Sequence, residues 1–409
     1  MPRGQGGTLS GFTPLSTPNA PTDLSVSTSI GSASVSFTAP SDTGDAAVTS
    51  YIVTAIDEST GASVGAVGSA SPITVSPGGG TFKIRAQAVN GFGPGRLTEF
   101  ATGQEVFSGA ELYAWGFNNS GQVGDNTVTN KSSPVQIGAL TNWAQVSIND
   151  HATAITTSGE LYAWGSNSSG RLGDGTIVAK SSPVQIGALT NWSQVVAGVN
   201  HTAAIKTTGT IWAWGSNTAG QLGDGTTVAK SSPVQIGALT NWAQVSASNH
   251  TAAVKTDGTM WTWGNNSTGQ LGDGTAANKS SPVQIGALTN WAQTSCGSAH
   301  TAAITTGGEL YAWGDNSPNG RLGDNTVVDK SSPVQVGALT NWSQVSAATY
   351  HTAAGKTDGT LWAWGGNSYG QLADGTAVNK SSPVQIGALT NWSQVAGSRF
   401  AVTALEGVI

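Results

Sequence analysis

Across residues 106–409 the apolar and polar positions recur in two fixed phrases. The first, K-S-S-P-V-Q-I-G-A-L-T-N-W, ends at Trp143, Trp192, Trp242, Trp291, Trp342 and Trp392, and only Val336 departs from its Q-I-G centre. The second, [YW]-x-W-G, places Trp115, Trp164, Trp214, Trp263, Trp313 and Trp364 at spacings of 49, 50, 49, 50 and 51 residues. Aligned on these tryptophans, each unit holds four short segments that alternate or run apolar: N-W-[AS]-Q-V (191–195 in one copy), H-T-A-A-[IV] (201–205), [LIM]-[YW]-x-W-G (211–215) and P-V-Q-I-G (233–237). Gly, Asn and Asp separate them, as tight turns require. Four antiparallel strands per unit follow. A period near fifty means units that bury a face only against their neighbours. Four short strands per unit is the build of a propeller blade.

The two ends of the array are incomplete in complementary ways. The first copy starts at Glu111 and lacks its first two strands; the last stops after 391–395 and 400–405 and lacks its last two. Two and two make one blade. The expectation is a six-bladed β-propeller with a two-plus-two strand closure and no open sheet edge, in which truncation after Gln394 abolishes folding.

Before the array, residues 1–19 are Gly, Ser, Thr and Pro with isolated Phe12 and Leu15, a flexible or anchoring arm. From Pro21 the pattern changes to strands with apolar residues at i and i+2: Leu24 and Val26, Val35 and Phe37, Tyr51 and Val53, and Phe82 through Ala88. Turn-rich stretches at 41–47, 58–68 and 77–80 divide them. A small antiparallel sandwich over 20–105 is expected, with the propeller over 106–409; the chain is all-β throughout. All fifteen tryptophans lie after residue 110, which marks the boundary. Pro21, Phe37 with Pro40, Tyr51 with Val53, and Ala88-Val-Asn90-Gly-Phe-Gly93-Pro-Gly95 resemble a fibronectin type III domain. Phe37 stands where that family usually has tryptophan. The resemblance implies a spacer or adhesive module.

In the array, Gly198-Val-Asn-His201-Thr-Ala-Ala-Ile205 and Gly209-Thr-Ile-Trp212-Ala-Trp214-Gly-Ser-Asn217-Thr-Ala-Gly220-Gln-Leu-Gly-Asp-Gly225 resemble the regulator of chromosome condensation repeat. The likeness covers about 300 residues. The best-known propellers of that family have seven blades; six are counted here. The resemblance implies that the repeated histidines (151, 201, 250, 300 and 351, with Phe400 at the sixth place) are structural hydrogen-bonders rather than metal ligands. The [YW]-x-W pairs are expected to fill the wedge between blades, with exposed sugar-stacking platforms as the alternative. The repeated aspartates (125, 174, 224, 273, 324 and 374) cap turns, and the lysine before each S-S-P lies on a solvated edge.

Charge and composition narrow the function. Only 9% of residues are charged and the net charge is −6, with 4 basic and 7 acidic residues in 1–105 against 12 and 15 in 106–409. No basic patch exists to neutralise a polyanion, so nucleic acid is not an expected partner. No apolar run is long enough to span a bilayer, and the N-terminus lacks a secretory h-region. Cys296 is the lone cysteine, so no disulfide can form within the chain. No zinc-protease helix or phosphate loop is present, so neither catalysis nor a cofactor or metal is expected. The copies diverge just before the histidine and just after W-G. Those loops are free of the blade's packing requirements and so can carry binding; Phe117, Asp150, Asp315, Tyr350, Tyr369 and Arg399 are the candidate ligand-binding residues. A low-charge propeller with a spacer-like module, yet no leader or anchor, fits a bacteriophage virion surface protein: a tail-fibre or spike component, or a capsid decoration. Residues 1–105 would join other virion proteins and the propeller would face a host-surface glycan or protein, self-association being compatible with this. The alternative is a protein-binding propeller such as an inhibitor or a guanine-nucleotide exchange factor-like module.

Overall fold

The computed structural model describes residues 16–29, 32–106, 111–397 and 402–406. The chain divides into two compact units, 1–110 and 111–409. The greater part of the anchoring arm lies outside the described residues.

The first unit is a two-sheet sandwich. Strands β1 (Thr22–Ser29), β2 (Ser32–Thr38) and β5 (Ile73–Val75) form one sheet. The other runs β4 (Ser63–Gly68), β3 (Val48–Asp57), β6 (Gly80–Asn90), β7 (Gly93–Leu97), with β8 (Ala101–Val106) also pairing β6. Alternate residues of β2, β3, β5 and β6 meet in one core, where the rings of Phe37 and Tyr51 lie 4.9 Å apart. The sequence pattern assigned 58–68 to a turn, whereas 63–68 is an edge strand. Glycines at 65 and 68 and solvent-facing Val64 and Val67 hide its alternation, because an edge strand has less apolar surface to bury.

The second unit contains five four-stranded antiparallel sheets, each a simple meander in sequence order. Blades 1 to 5 span 143–185, 192–235, 242–284, 291–335 and 342–385. In blade 2 the strands are Trp192–Ala197, His201–Lys206, Ile211–Gly215 and Lys230–Gln235. The outermost strand therefore starts three residues before the predicted P-V-Q-I-G and ends at glutamine. Its proline is tolerated because an edge strand needs no N–H on its free side. The second strand is buried throughout in blades 1 to 4, and Trp164, Trp214, Trp263, Trp313 and Trp364 are buried to within 1%. Each tryptophan sits against the preceding copy's glycine of [VL]-G-D: a Cβ on Gly173, which has φ +83°, would lie 2.6 Å from Trp214 Nε1. That glycine is what lets successive blades approach.

The array ends in two half-blades, Tyr113–Gly116 with Lys131–Gln136 and Trp392–Gly397 with Val402–Glu406. These remain separate two-stranded sheets, so the expected two-plus-two closure is not made among the described residues. Two of the contacts that join successive blades are altered where blade 5 meets the half-blades. Ala373 replaces the approach glycine, placing a methyl group where the next blade's indole would lie. Val402 occupies the position of Thr352, while Gln344 and Ser346 of blade 5 still receive the Val395 and Gly397 N–H groups at 3.2 and 2.9 Å. Trp115 is accordingly 61% exposed, where its counterpart Trp164 is 1% exposed. Truncation after Gln394 would remove Val395 and Val402, which pack against the Ala353, Ala363 and Leu372 cluster of blade 5. Phe400 lies outside the described residues; the Trp392–Glu406 pairing counts the sixth histidine position to 401 instead.

Candidate functional site

Blades are welded by a repeated three-part hydrogen-bond set. His151 Nε2 lies 2.7 Å from Thr202 Oγ1 of the next blade, and that hydroxyl donates its one hydrogen to the Arg171 carbonyl at 2.8 Å. The hydroxyl must therefore accept from the imidazole, which fixes the histidine as the neutral Nε2–H tautomer. The same logic holds for His201 with Thr251 and the Gln221 carbonyl, for His250 with Thr301 and the Gln270 carbonyl, and for His300 with Thr352 and the Arg321 carbonyl. Burial depresses His151, His201 and His250 to about 3, and His300 well below its ordinary value, with smaller repulsion from Arg171 at His151 and His201 and from Arg321 at His300.

A second set fixes the loop after W-G. Asn167 Nδ2 reaches Asp174 Oδ1 and the Thr176 and Val178 carbonyls, while its Oδ1 accepts Leu172 N–H at 3.0 Å. Asp174 caps its turn through Thr176 N–H at 3.0 Å, as expected. The lysine is not merely solvated: each is half-buried and pairs with this aspartate, from 2.7 Å at Lys131–Asp125 to 3.7 Å at Lys330–Asp324. Burial raises the carboxyl pKa, but threonine, asparagine and lysine donors outweigh it, so Asp125 and Asp374 fall to about 2.

This framework carries the candidate binding loops at one end of the blades. The loops before the histidine and after W-G lie together, as shown by Gly366 N–H donating to the Tyr350 carbonyl and Asp315 N–H to that of Ala299. The candidates do not converge on one pocket. Asp315 and Tyr350 meet through Arg321, which pairs with Asp315 at 3.0 Å, donates to the Thr349 carbonyl and lies 5.6 Å from the Tyr350 ring centre. Burial, then the neighbouring Asp329, raises Asp315 against the lowering effect of Arg321. Asp150 is exposed and only 3.9 Å from Arg171. Phe117 and Tyr369 are 62% and 76% exposed; Arg399 lies outside the described residues. The sequence reading missed Arg171 and Arg321, although each replaces the glutamine of Q-L-G-D and so breaks the repeat visibly. Both strap a loop to the next blade, Arg171 through the Val199 carbonyl and Asn200 Oδ1.

On the flank, grooves open between consecutive blades. One of about 670 Å³ lies between blades 1 and 2, lined by Asp174, Lys180, Gln185, Leu189, Trp212 and Pro233 among others. Its counterpart between blades 4 and 5, about 460 Å³, is lined by the corresponding Asp324, Lys330, Gln335, Leu339, Trp362 and Pro383. The [YW]-x-W pair thus divides its work: the second ring is the buried wedge, while the first is half-exposed at the groove. Where that first ring is tryptophan, a lysine lies over it. Lys206 Nζ is 3.8 Å from the Trp212 ring centre and 4.8 Å from that of Trp192, and Lys255 and Lys356 repeat this. Burial lowers all three amines, and the ring quadrupoles offset part of the lost hydration. Where the ring is tyrosine, as at Tyr162 and Tyr311, a threonine bonded to Glu160 or Glu309 takes the lysine's place.

Comparison with known proteins agrees with this architecture. The regulator of chromosome condensation (RCC1) repeat matches six segments, 110–155, 158–205, 208–254, 257–304, 307–354 and 358–405, and a second description of the same repeat matches 192–221, 291–321 and 342–371. The crystal structure of human WBSCR16 is similar at a TM-score of 0.64 and 18% identity, covering 87% of this chain and 98% of that one. Prp20p from Saccharomyces cerevisiae, a structure described with binding to Gsp1p and histones, is similar at 0.64 and 18%, covering 89% and 93%. The same yeast protein bound to Kap60 scores 0.63 at 15% identity, covering 100% and 96%. No curated protein matched by sequence. At these identities the structures establish the fold alone, whereas the six repeat matches run through most of the sequence: the chain is a member of the RCC1 repeat family.

Proposed function

We propose that this chain is a non-enzymatic adhesive or decorating protein on the surface of a virus particle, with residues 1–105 as the attachment part and the propeller as the presented part. The first unit, read as fibronectin type III-like, serves as spacer. The observation that carries the reading is the repetition of one surface: successive blades display the same leucine, aromatic ring and lysine–aspartate pair at the flank. Repeated shallow sites suit weak, multivalent attachment to a host-surface glycan or protein. The low charge of the chain also favours this use over a polyanion-binding one, since the propeller region has 12 basic against 15 acidic residues.

A protein-binding propeller, such as an inhibitor or a guanine-nucleotide exchange factor-like module, is the second reading. It draws on the loop end, where Arg321, Asp315 and Tyr350 form the most individual cluster among the described residues. Mass spectrometry of purified particles from the source separates the two. The chain is expected among the virion proteins; its absence there, with recovery only from the cytosol, would overturn the surface reading.

A further inference from the structure

We propose that the flank grooves between blades, rather than the variable loops, are saccharide subsites, with the half-exposed indoles of Trp212 and Trp362 as their stacking faces. The inference rests on the adhesive reading above and gives it a ligand class and a place. Both grooves use corresponding residues of the repeat, and at about 670 and 460 Å³ each fits a ligand of small-molecule size. The indole is held in place, since Trp212 Nε1–H donates to Thr210 Oγ1 at 3.0 Å while Lys206 lies over the ring. Trp362 is fixed in the same way by Thr360 and Lys356. Beside each indole stand an ion pair, Lys180–Asp174 or Lys330–Asp324, and an exposed amide, Gln185 or Gln335.

A pyranose ring offers a matching surface: a face of C–H groups for the indole and a rim of hydroxyls for a carboxylate, an ammonium and an amide. A peptide fits less well. Adding a strand to a sheet edge needs a row of backbone donors and acceptors, and Pro183 and Pro333 remove a donor from the outer strands at these grooves. Blade 3 places Trp261 and Lys255 in the same arrangement, so one molecule offers at least two corresponding grooves and a third indole held in the same way. Weak single contacts then sum, with avidity on the order of 10²–10⁴ above one site.

The test uses the full chain on an array of mono- to tetrasaccharides at high and low surface density, with hits repeated in solution by tryptophan fluorescence. The expected result is retention of at least one saccharide class at high density and at least tenfold weaker retention at low density. The paired substitution Trp212→Ala with Trp362→Ala is expected to weaken binding by roughly tenfold or more. Gln185→Ala with Gln335→Ala, at exposed positions that leave the fold intact, is expected to weaken it several-fold; Val67→Thr in the first unit is expected to change nothing. No saccharide retained at high density, or binding untouched by both groove pairs, would overturn the assignment. So would a loss produced only by Phe117→Ala or Tyr369→Ala, which would move the site to the loops. Absence of the chain from particles would sink the virion reading while leaving the groove result standing.

Discussion

Four histidines do the same task by the same geometry, and pH reaches them in a defined direction. Each is held neutral by burial, so its folded pKa lies below the unfolded value of about 6.5. Its contribution to stability is complete above pH 6.5 and is lost as pH falls from there towards the folded value, about 3 for His151, His201 and His250. Each can remove up to about 1.4 kcal/mol per pH unit in that window. Carboxylates such as Asp125 and Asp374 act lower, between about 3.8 and 2. Urea unfolding followed by tryptophan fluorescence should show the midpoint falling steeply between pH 6.5 and 5, before the carboxylates titrate; a flat midpoint over that range would exclude buried neutral histidines. The histidines were visible in the sequence as a repeated position, but their partner was not. The threonine that receives each bond follows the next histidine and looks like strand filler in H-T-A-A.

At the scale of the strand, the phrase N-W-[AS]-Q-V proves to encode more than a β pattern. The innermost strand of each blade leaves backbone groups on its free edge, and the preceding blade's glutamine covers them. Val195 N–H donates to Gln145 Oε1 at 2.9 Å, Val245 to Gln194 at 2.9 Å, Thr294 to Gln244 at 3.0 Å and Val345 to Gln293 at 3.1 Å. Gln244 also returns a bond from Nε2 to the Thr294 carbonyl at 2.9 Å. Serines add another rung, as where Cys296 N–H donates to Ser246 Oγ. This ladder explains why a polar residue is fixed in an otherwise apolar strand. Gln244→Ala should cost about 1–3 kcal/mol in urea unfolding, the expense of stranding a partly buried N–H and C=O, whereas exposed Gln235→Ala should cost under about 0.5 kcal/mol. Equal effects would remove the ladder from the account. Strand type and order were legible from spacing alone; the ladder was not, because a period-two pattern says which face a residue takes and nothing of what lies across a blade boundary.

At the scale of the molecule, the repeat period set the architecture correctly, while the closure counted from the two ends is not made among the described residues. Complementary numbers make closure conceivable, but welding depends on side chains, and the array loses its approach glycine and its receiving threonine at the boundary after blade 5. The A-D-G at 373–375, in place of G-D-G, was the readable sign. Trp115→Ala is therefore expected to lower stability by under about 1 kcal/mol, against roughly 3–5 kcal/mol for the buried Trp214→Ala; matching losses would mean that Trp115 is packed in solution as the others are. The central claim is that each blade is stapled to the next through a neutral histidine, its tautomer set by a threonine already committed to a carbonyl. Long-range ¹H–¹⁵N NMR of the imidazoles, assigned by single histidine substitutions, reads this directly. His151, His201, His250 and His300 should all appear as the Nε2–H tautomer and stay unchanged from pH 7.5 to pH 6; Nδ1–H tautomers, or ring nitrogens that become charged near pH 6.5, would contradict it.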